Sequence, residues 1–316
     1  DWVRLTLPFL CLPVAFYGAQ PLTKEKFEKF LQVFIFIMSV SLLCVLVWYG
    51  LHFKEFSSRL GQGTPIPTPH SHIRFSLLLV FAFFSSLWLR EKMKFWWAFT
   101  LFLFIGVHLL SVRSALMSLY AGILFFAFLL MFNKQRLLGL VITVNTGILF
   151  VIAYTQIPSI QNRINYMVYD FEQFQNGNIQ GFSDGVRFAS MQAGLEMWQK
   201  NFWTGVGIGD IKQESEETMQ TNFPSITNKS DLKMPHNQYL WTACATGVLG
   251  LSVFLFSFLF PLWYFRNEMD WLFIILQILF GTSFLVEYML EGQVGGTFYT
   301  LFQSLFYNSL SSKKGV

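Results

Sequence analysis

Nine runs of mostly apolar residues, parted by short polar breaks, set the limits on what this chain can fold into. They lie at 2–19, 27–51, 73–89, 95–111, 114–132, 137–155, 237–264, 271–288 and 295–310. A helix needs roughly 20 mostly apolar residues to cross the hydrocarbon of a bilayer. There every backbone N–H and C=O must be paired internally, so each run reads as a helix. The expected fold class is therefore all-α, a polytopic transmembrane helical bundle. Pro8 and Pro13 mark the first run as kinked or partly re-entrant. With 53% hydrophobic and only 13% charged residues, lipid rather than water must be the solvent for most of the chain.

The charges speak of topology. Lys24, Lys26 and Lys29, then Arg90, Lys92 and Lys94, then Lys134 and Arg136, then Arg266, then Lys313 and Lys314 form five clusters, and nine spans put all five on one face. Short basic loops stay cytoplasmic, so the segments 52–72, 112–113, 156–236 and 289–294 are expected outside. The net charge of +4 is dispersed among these clusters, which sets nucleic-acid binding aside. Cys11, Cys44 and Cys244 each sit in an apolar run with no metal-ligand spacing and read as small membrane-buried side chains. The chain opens on Asp1 with no cleavable leader in view, and an N-terminal stretch of the natural protein is expected to be missing.

Three parts follow: helices over 1–155, a large outside loop over 156–236, and helices over 237–316. A loop of that length is functional or disordered. Part of it has helical periodicity, since Phe188, Met191, Leu195 and Trp198 recur at helical spacing between Asp184 and Lys200, with Ser183 or Asp184 as N-cap. An amphipathic helix at the membrane interface is predicted; its plainer reading is a lid packed on the bundle.

Met234, Pro235, His236 and Asn237 close that loop and start the seventh run. A neutral imidazole at the outer surface can take a proton from an attacking hydroxyl. An interfacial hydrogen bond is the plainer role. Below it Leu240, Ala243, Gly247 and Gly250 lie on one helical face, where small residues permit close approach of another helix. Arg113, between two long apolar runs, either snorkels to headgroups or binds phosphate bidentately. Arg187, in the first turn of the loop helix, suits an anion, or pairs with Asp184 or lipid headgroups.

His236 and Asn237, followed after nine residues by Gly247 and then by Gly250, resemble the signature of the O-antigen ligase family. In that family the motif closes the large periplasmic loop, and the resemblance extends from about residue 20 to the C-terminus. It implies a bundle of roughly a dozen helices, with periplasmic arginines holding the diphosphate of a lipid-linked glycan. Arg113 and Arg187 match those arginines by context, Arg187 the better.

Other residues are read more plainly. Gly205, Gly207 and Gly209 lack both nucleotide-loop spacing and a Walker lysine, and a tight turn is their expected use. His70, His72 and Arg74 cluster where the third run begins; a second basic contact for phosphate is preferred there over a metal. Glu287 and Glu291, four apart at the outer end of the eighth run, either neutralise a site arginine or are interfacial.

The expected activity is transfer of a glycan from an undecaprenyl diphosphate carrier to an acceptor hydroxyl, lipid A-core first among candidates. It would take place at the periplasmic face of the bacterial inner membrane, without metal or cofactor. A polymerase or a protein O-oligosaccharyltransferase would use the same donor, and residues here do not separate the three. A transporter or glycan flippase is the alternative of another class, disfavoured because neither an internal repeat nor a midplane charge pair is visible.

Overall fold

The computed structural model describes residues 2–53, 67–69, 71–90, 93–132, 135–156, 158–177, 179 and 183–314. His70 and most of the segment 52–72 lie outside the described residues. Among the described residues there are twelve α-helices and no strand. In chain order they are α1 (Trp2–Gly18), α2 (Lys24–Leu51), α3 (His72–Leu89), α4 (Trp96–Leu110), α5 (Arg113–Phe132), α6 (Arg136–Gln156), α7 (Pro158–Gln175), α8 (Ser183–Lys200), α9 (Ile211–Asn222), α10 (Gln238–Tyr264), α11 (Trp271–Phe284) and α12 (Gln293–Lys314). Each of the nine apolar runs carries a helix, the eighth only as far as Phe284. Four of these helices, α2, α3, α5 and α10, are long and apolar enough to cross a membrane, and the apolar stretches of α1, α4, α6 and α11 are shorter.

The chain divides into two compact units. The first comprises Asp1–Phe125, Leu262–Ser283 and Met289–Val316; the second comprises Phe126–Pro261 and Phe284–Tyr288.

In the first unit, α3 is buried nearly all round, from Phe75 to Leu89, which makes it the core helix. α2 shows how a helix lives between protein and lipid. Phe27, Leu31, Ile35, Met38, Leu42 and Val45 recur at three- and four-residue steps and are buried, whereas Val33, Phe36, Ile37, Val40, Leu43 and Val47 are exposed. Both faces are apolar, so the outer one requires hydrocarbon, not water. Thr23 starts this helix, its Oγ1 accepting from the Lys26 N–H at 3.3 Å. Gly106 lets α4 close on α2, because a Cβ there would stand 2.2 Å from Leu42 Cδ2. A continuous set of rings fills the centre: Phe34 and Phe81 meet Phe302 at centroid distances of 4.9 and 4.6 Å, and Phe280 meets Phe298 at 5.0 Å.

In the second unit, the loop expected over 156–236 carries three helices, α7 to α9, where one was predicted. Pro158 opens α7 at the position where its missing N–H costs nothing. The polar α9 is held by Ile211, Ser215 and Met219, one buried residue per turn. Ile179, Val186, Ala189, Ala193, Met219, Ile226 and Leu232 form one core, with Phe174 and Phe223 against it. α8 spans the expected residues but buries a different face. Val186, Ala189, Ala193 and Met197 point inward, while Phe188 and Leu195 are exposed. Small side chains allow the close packing that this core requires; of the expected stripe Phe188 and Leu195 are left outside, while Met191 is half-buried and Trp198 packs against a second core of Met197, Ile211, Trp241, Cys244 and Ala245.

α10 is not one straight rod. Gly247 has φ 66° and ψ −170° within it, a backbone region open essentially to glycine alone. Tyr239 and Phe254 would lie roughly 22 Å apart along a straight helix, yet their rings are 6.0 Å apart. The helix folds at Gly247 into two arms, and Phe284 sits against rings of both, 5.9 Å from Tyr239 and 5.7 Å from Phe254.

Candidate active site

The fold of α10 leaves backbone groups without helical partners, and the glycine run after α8 supplies them. Val206 and Gly207 N–H groups donate to the carbonyls of Cys244 and Ala245 at 2.8 and 3.0 Å, and the Val248 N–H donates to the Phe202 carbonyl at 2.8 Å. A Cβ at Gly247 would stand 2.1 Å from the Trp203 carbonyl oxygen, and one at Gly205 (φ 69°) 2.5 Å from that of Cys244. Close approach of an irregular segment, not of a second helix, is what Gly247 permits, which corrects the expectation from helical spacing. The glycine run forms the tight turn expected of it, with Gly205 and Gly207 at φ 69° and 97° and the Asp210 N–H donating to the Gly207 carbonyl, and it also makes the backbone contacts above.

The same joint brings α8 against the start of α10. Gly194 makes room for Pro235, since a Cβ at 194 would lie 2.6 Å from the proline ring, and Cys244 Sγ donates to the Gly194 carbonyl at 3.0 Å. His236 follows Pro235 and is thereby set beside α8. Its Nδ1 lies 3.3 Å from Ser190 Oγ, whose hydroxyl donates to the Arg187 carbonyl at 2.8 Å. Tyr288 meets the imidazole edge to face, centroids 5.5 Å apart.

Asn237 caps α10: its Oδ1 accepts from the Leu240 N–H at 2.9 Å, and its Nδ2 donates to the Leu285 carbonyl at 3.0 Å. Both ends of this amide are thus held by protein. α11 stops at Phe284, four residues short of the expected 288, so Leu285–Tyr288 runs as a non-helical link. Glu287 stands on that link, and its Oε1 accepts from Arg187 Nη2 at 2.8 Å. The partner of Arg187 is therefore Glu287, one hundred residues away, and not Asp184. The N–H of Asp184 instead donates to Asp170 Oδ2.

Electrostatics follow from this arrangement. Burial pushes the pKa of His236 down to about 4, and the Arg187 and Lys233 charges act in the same direction. A hydrogen bond to the Met234 carbonyl opposes them. The ring is neutral at neutral pH.

Arg187, Glu287, His236 and Asn237 are thus brought together in the second unit. Gly247 and Gly250 lie on α10, where a Cβ at Gly250 would stand 2.0 Å from Thr246 Oγ1. Arg113, Arg74 and Glu291 belong to the first unit. Arg113 opens α5 two residues after Ser111, which ends α4 in the left-handed conformation at φ 51°. Arg74, in the first turn of α3, lies against the start of α12: a Cβ at Gly292 would meet its Nη2 at 2.6 Å, and Nε is buried without an acceptor among the described residues. Glu291 sits in a short 3₁₀ turn, Met289–Glu291, while Glu287 stands on the non-helical link before it. Sequence reasoning passed over Ser190 and Tyr288. Ser190 lies three residues after Arg187, on the same face of α8, and that spacing was the available signal.

An all-helical membrane protein whose loop helix presents an arginine, a serine and a histidine in one cluster suits transfer chemistry on an anionic substrate. The profile of the O-antigen ligase family matches residues 98–255, half the chain, and the chain belongs to that family. The family carries membrane glycosyl transfer of the O-antigen ligase or polymerase type. No curated protein matches the chain.

Proposed function

We propose that the chain is a glycan ligase at the periplasmic face of the bacterial inner membrane, transferring a glycan from an undecaprenyl diphosphate carrier to an acceptor hydroxyl, lipid A-core foremost. The observation that carries this reading is the convergence of Arg187, Glu287 and His236, from α8, the link after α11 and the loop end, on one half-buried cluster. A diphosphate is already a good leaving group, so the chemistry needs charge stabilisation on one side and a base on the other. Arg187 supplies the charge. Glu287 holds its guanidinium until a diphosphate competes for it, and the planar fork suits either partner.

His236 then takes the proton of the acceptor hydroxyl as its oxygen attacks the anomeric carbon. The bond to the carrier diphosphate breaks, and a single in-line displacement inverts the configuration. Arg113 and Arg74 enter as further cations for donor phosphates and Glu291 as a polar contact, by residue type. Asn237 fixes the turn that carries His236. In this reading α1 to α6 and α10 to α12 lie in the membrane, with α7 to α9 periplasmic, and neither metal nor cofactor takes part.

The test is a gel of surface lipopolysaccharide and carrier-linked glycan from cells lacking the gene, complemented with wild type or His236→Ala. Wild type should restore long glycan on lipid A-core, and the variant, inserted at normal levels, should accumulate carrier-linked polymer. Restoration by the variant would remove His236 as the base. Unchanged lipopolysaccharide in the deletion would remove lipid A-core as the acceptor.

A further inference from the structure

The cluster contains one polar contact that the reaction does not itself call for: the hydroxyl of Ser190, a residue only 1% exposed, facing His236 Nδ1. A serine hydroxyl has one hydrogen to give. Here that hydrogen is committed along the helix, to the Arg187 carbonyl at 2.8 Å, the shorter of the two contacts. What Ser190 can offer His236 is therefore a lone pair, and an imidazole nitrogen can meet a lone pair only if it carries a proton.

We infer that Ser190 is a positioning residue for His236, holding the ring in the tautomer protonated on Nδ1 and leaving the lone pair of Nε2 as the base. The tautomer of a histidine is set by the hydrogen bond that its other nitrogen makes. The groups facing the ring are consistent with this assignment. Arg187 and Lys233 are cations and offer no lone pair, Tyr288 presents a ring contact, and Glu287 is bound to Arg187. The Met234 carbonyl is a further acceptor toward the ring, and because the neutral ring has a single N–H the two acceptors must share Nδ1–H or compete for it. No proton is gained or lost in the assignment: the neutral ring carries one, on Nδ1, and accepts the second on Nε2 when the acceptor hydroxyl attacks. Ser190 also joins the base to the anion site, since the carbonyl that takes its hydrogen belongs to Arg187.

The consequence for turnover rests on His236 being the base, whereas the tautomer itself does not, so two readouts separate the two ideas. Nitrogen NMR of the full chain in lipid nanodiscs, labelled at histidine, reads the tautomer directly, with the His236 signals identified by their loss in His236→Gln. The wild type should show a protonated Nδ1 and an unprotonated Nε2. A protonated Nε2 would overturn the inference without any variant having to fold. In Ser190→Ala the protonated nitrogen should become Nε2 or a mixture, and kcat should fall on the order of tenfold, part of what a general base contributes. KM should be unchanged, and Ser190→Thr, which keeps the hydroxyl, should restore both. Lost turnover with an unmoved tautomer would reduce Ser190 to packing and refute the inference. A moved tautomer with full turnover would uphold the contact and sink His236 as the base.

Discussion

The two units solve the same problem, the placement of helices, in opposite ways. In the first, order comes from side chains. Phe34, Phe81, Phe302, Phe298 and Phe280 interlock along helices whose backbones are regular, and Gly106 only trims the distance between two rods. In the second, order comes from main chain: α10 folds at Gly247, and the segment from Phe202 to Gly207 takes up the backbone groups that the fold releases. Side-chain packing tolerates repacking at moderate cost. Main-chain pairing in a low-dielectric setting has no substitute partner. The chemistry-bearing cluster of Arg187, Ser190, His236 and Glu287 is attached to the second kind of scaffold, which holds geometry more tightly than packing alone.

That contrast can be broken at four places. The largest effect on stability is expected from Phe81→Ala, which removes a fully buried ring meeting Phe34, Phe298 and Phe302. The loss should be about 3 kcal/mol, the low end for such a change because lipid is itself apolar. Thermal unfolding in detergent would read it, with turnover per folded molecule preserved.

Gly247→Ala comes next, at about 1–3 kcal/mol for the backbone region alone, but with turnover falling as well, since the arms of α10 position His236. Gly250→Ala should do less, because only the Thr246 side chain stands in its way and a hydroxyl can rotate. Equal effects at 247 and 250 would mean that the fold in α10 is not what the glycine is for.

Arg187→Ala should weaken use of the donor more than Arg187→Lys, which keeps the charge and loses the planar fork. Steady-state kinetics with purified lipid-linked glycan would decide, and indifference to both changes would take Arg187 out of the site. The smallest effect is in pH. His236 acts when unprotonated and its pKa is lowered to about 4, so kcat/KM should stay level as pH falls from 7 through 5 and drop only near 4. A limb near 6.5 would place the imidazole in water and undo the burial by Pro235, Ser190 and Tyr288.

Much of this was legible in the sequence where periodicity or chemistry is local. The nine apolar runs, the span of α8 and the singling out of Arg187 and His236 all follow from residue type, spacing and motif. What could not be read depends on contacts distant along the chain. The partner of Arg187 stands a hundred residues later, on a link that continuous hydropathy extends as helix from Phe284 to Tyr288. α8 looked amphipathic through Phe188, Met191, Leu195 and Trp198, but its alanines carry the core, because the neighbouring elements come too close for larger side chains. α9 was hidden by its charge, having only Ile211, Ser215 and Met219 to bury.

The meeting of Gly247 with Trp203 has a consequence for how this joint is recorded in sequence variation. The three atoms nearest to a Cβ at 247, in residues 203 and 204, are all main chain, and the Trp203 residue is 67% exposed. The contact is therefore indifferent to what residue 203 is and intolerant of anything but glycine at 247. In a saturation mutagenesis library position 247 should be nearly silent and position 203 permissive, and the two should show no covariation despite lying in contact.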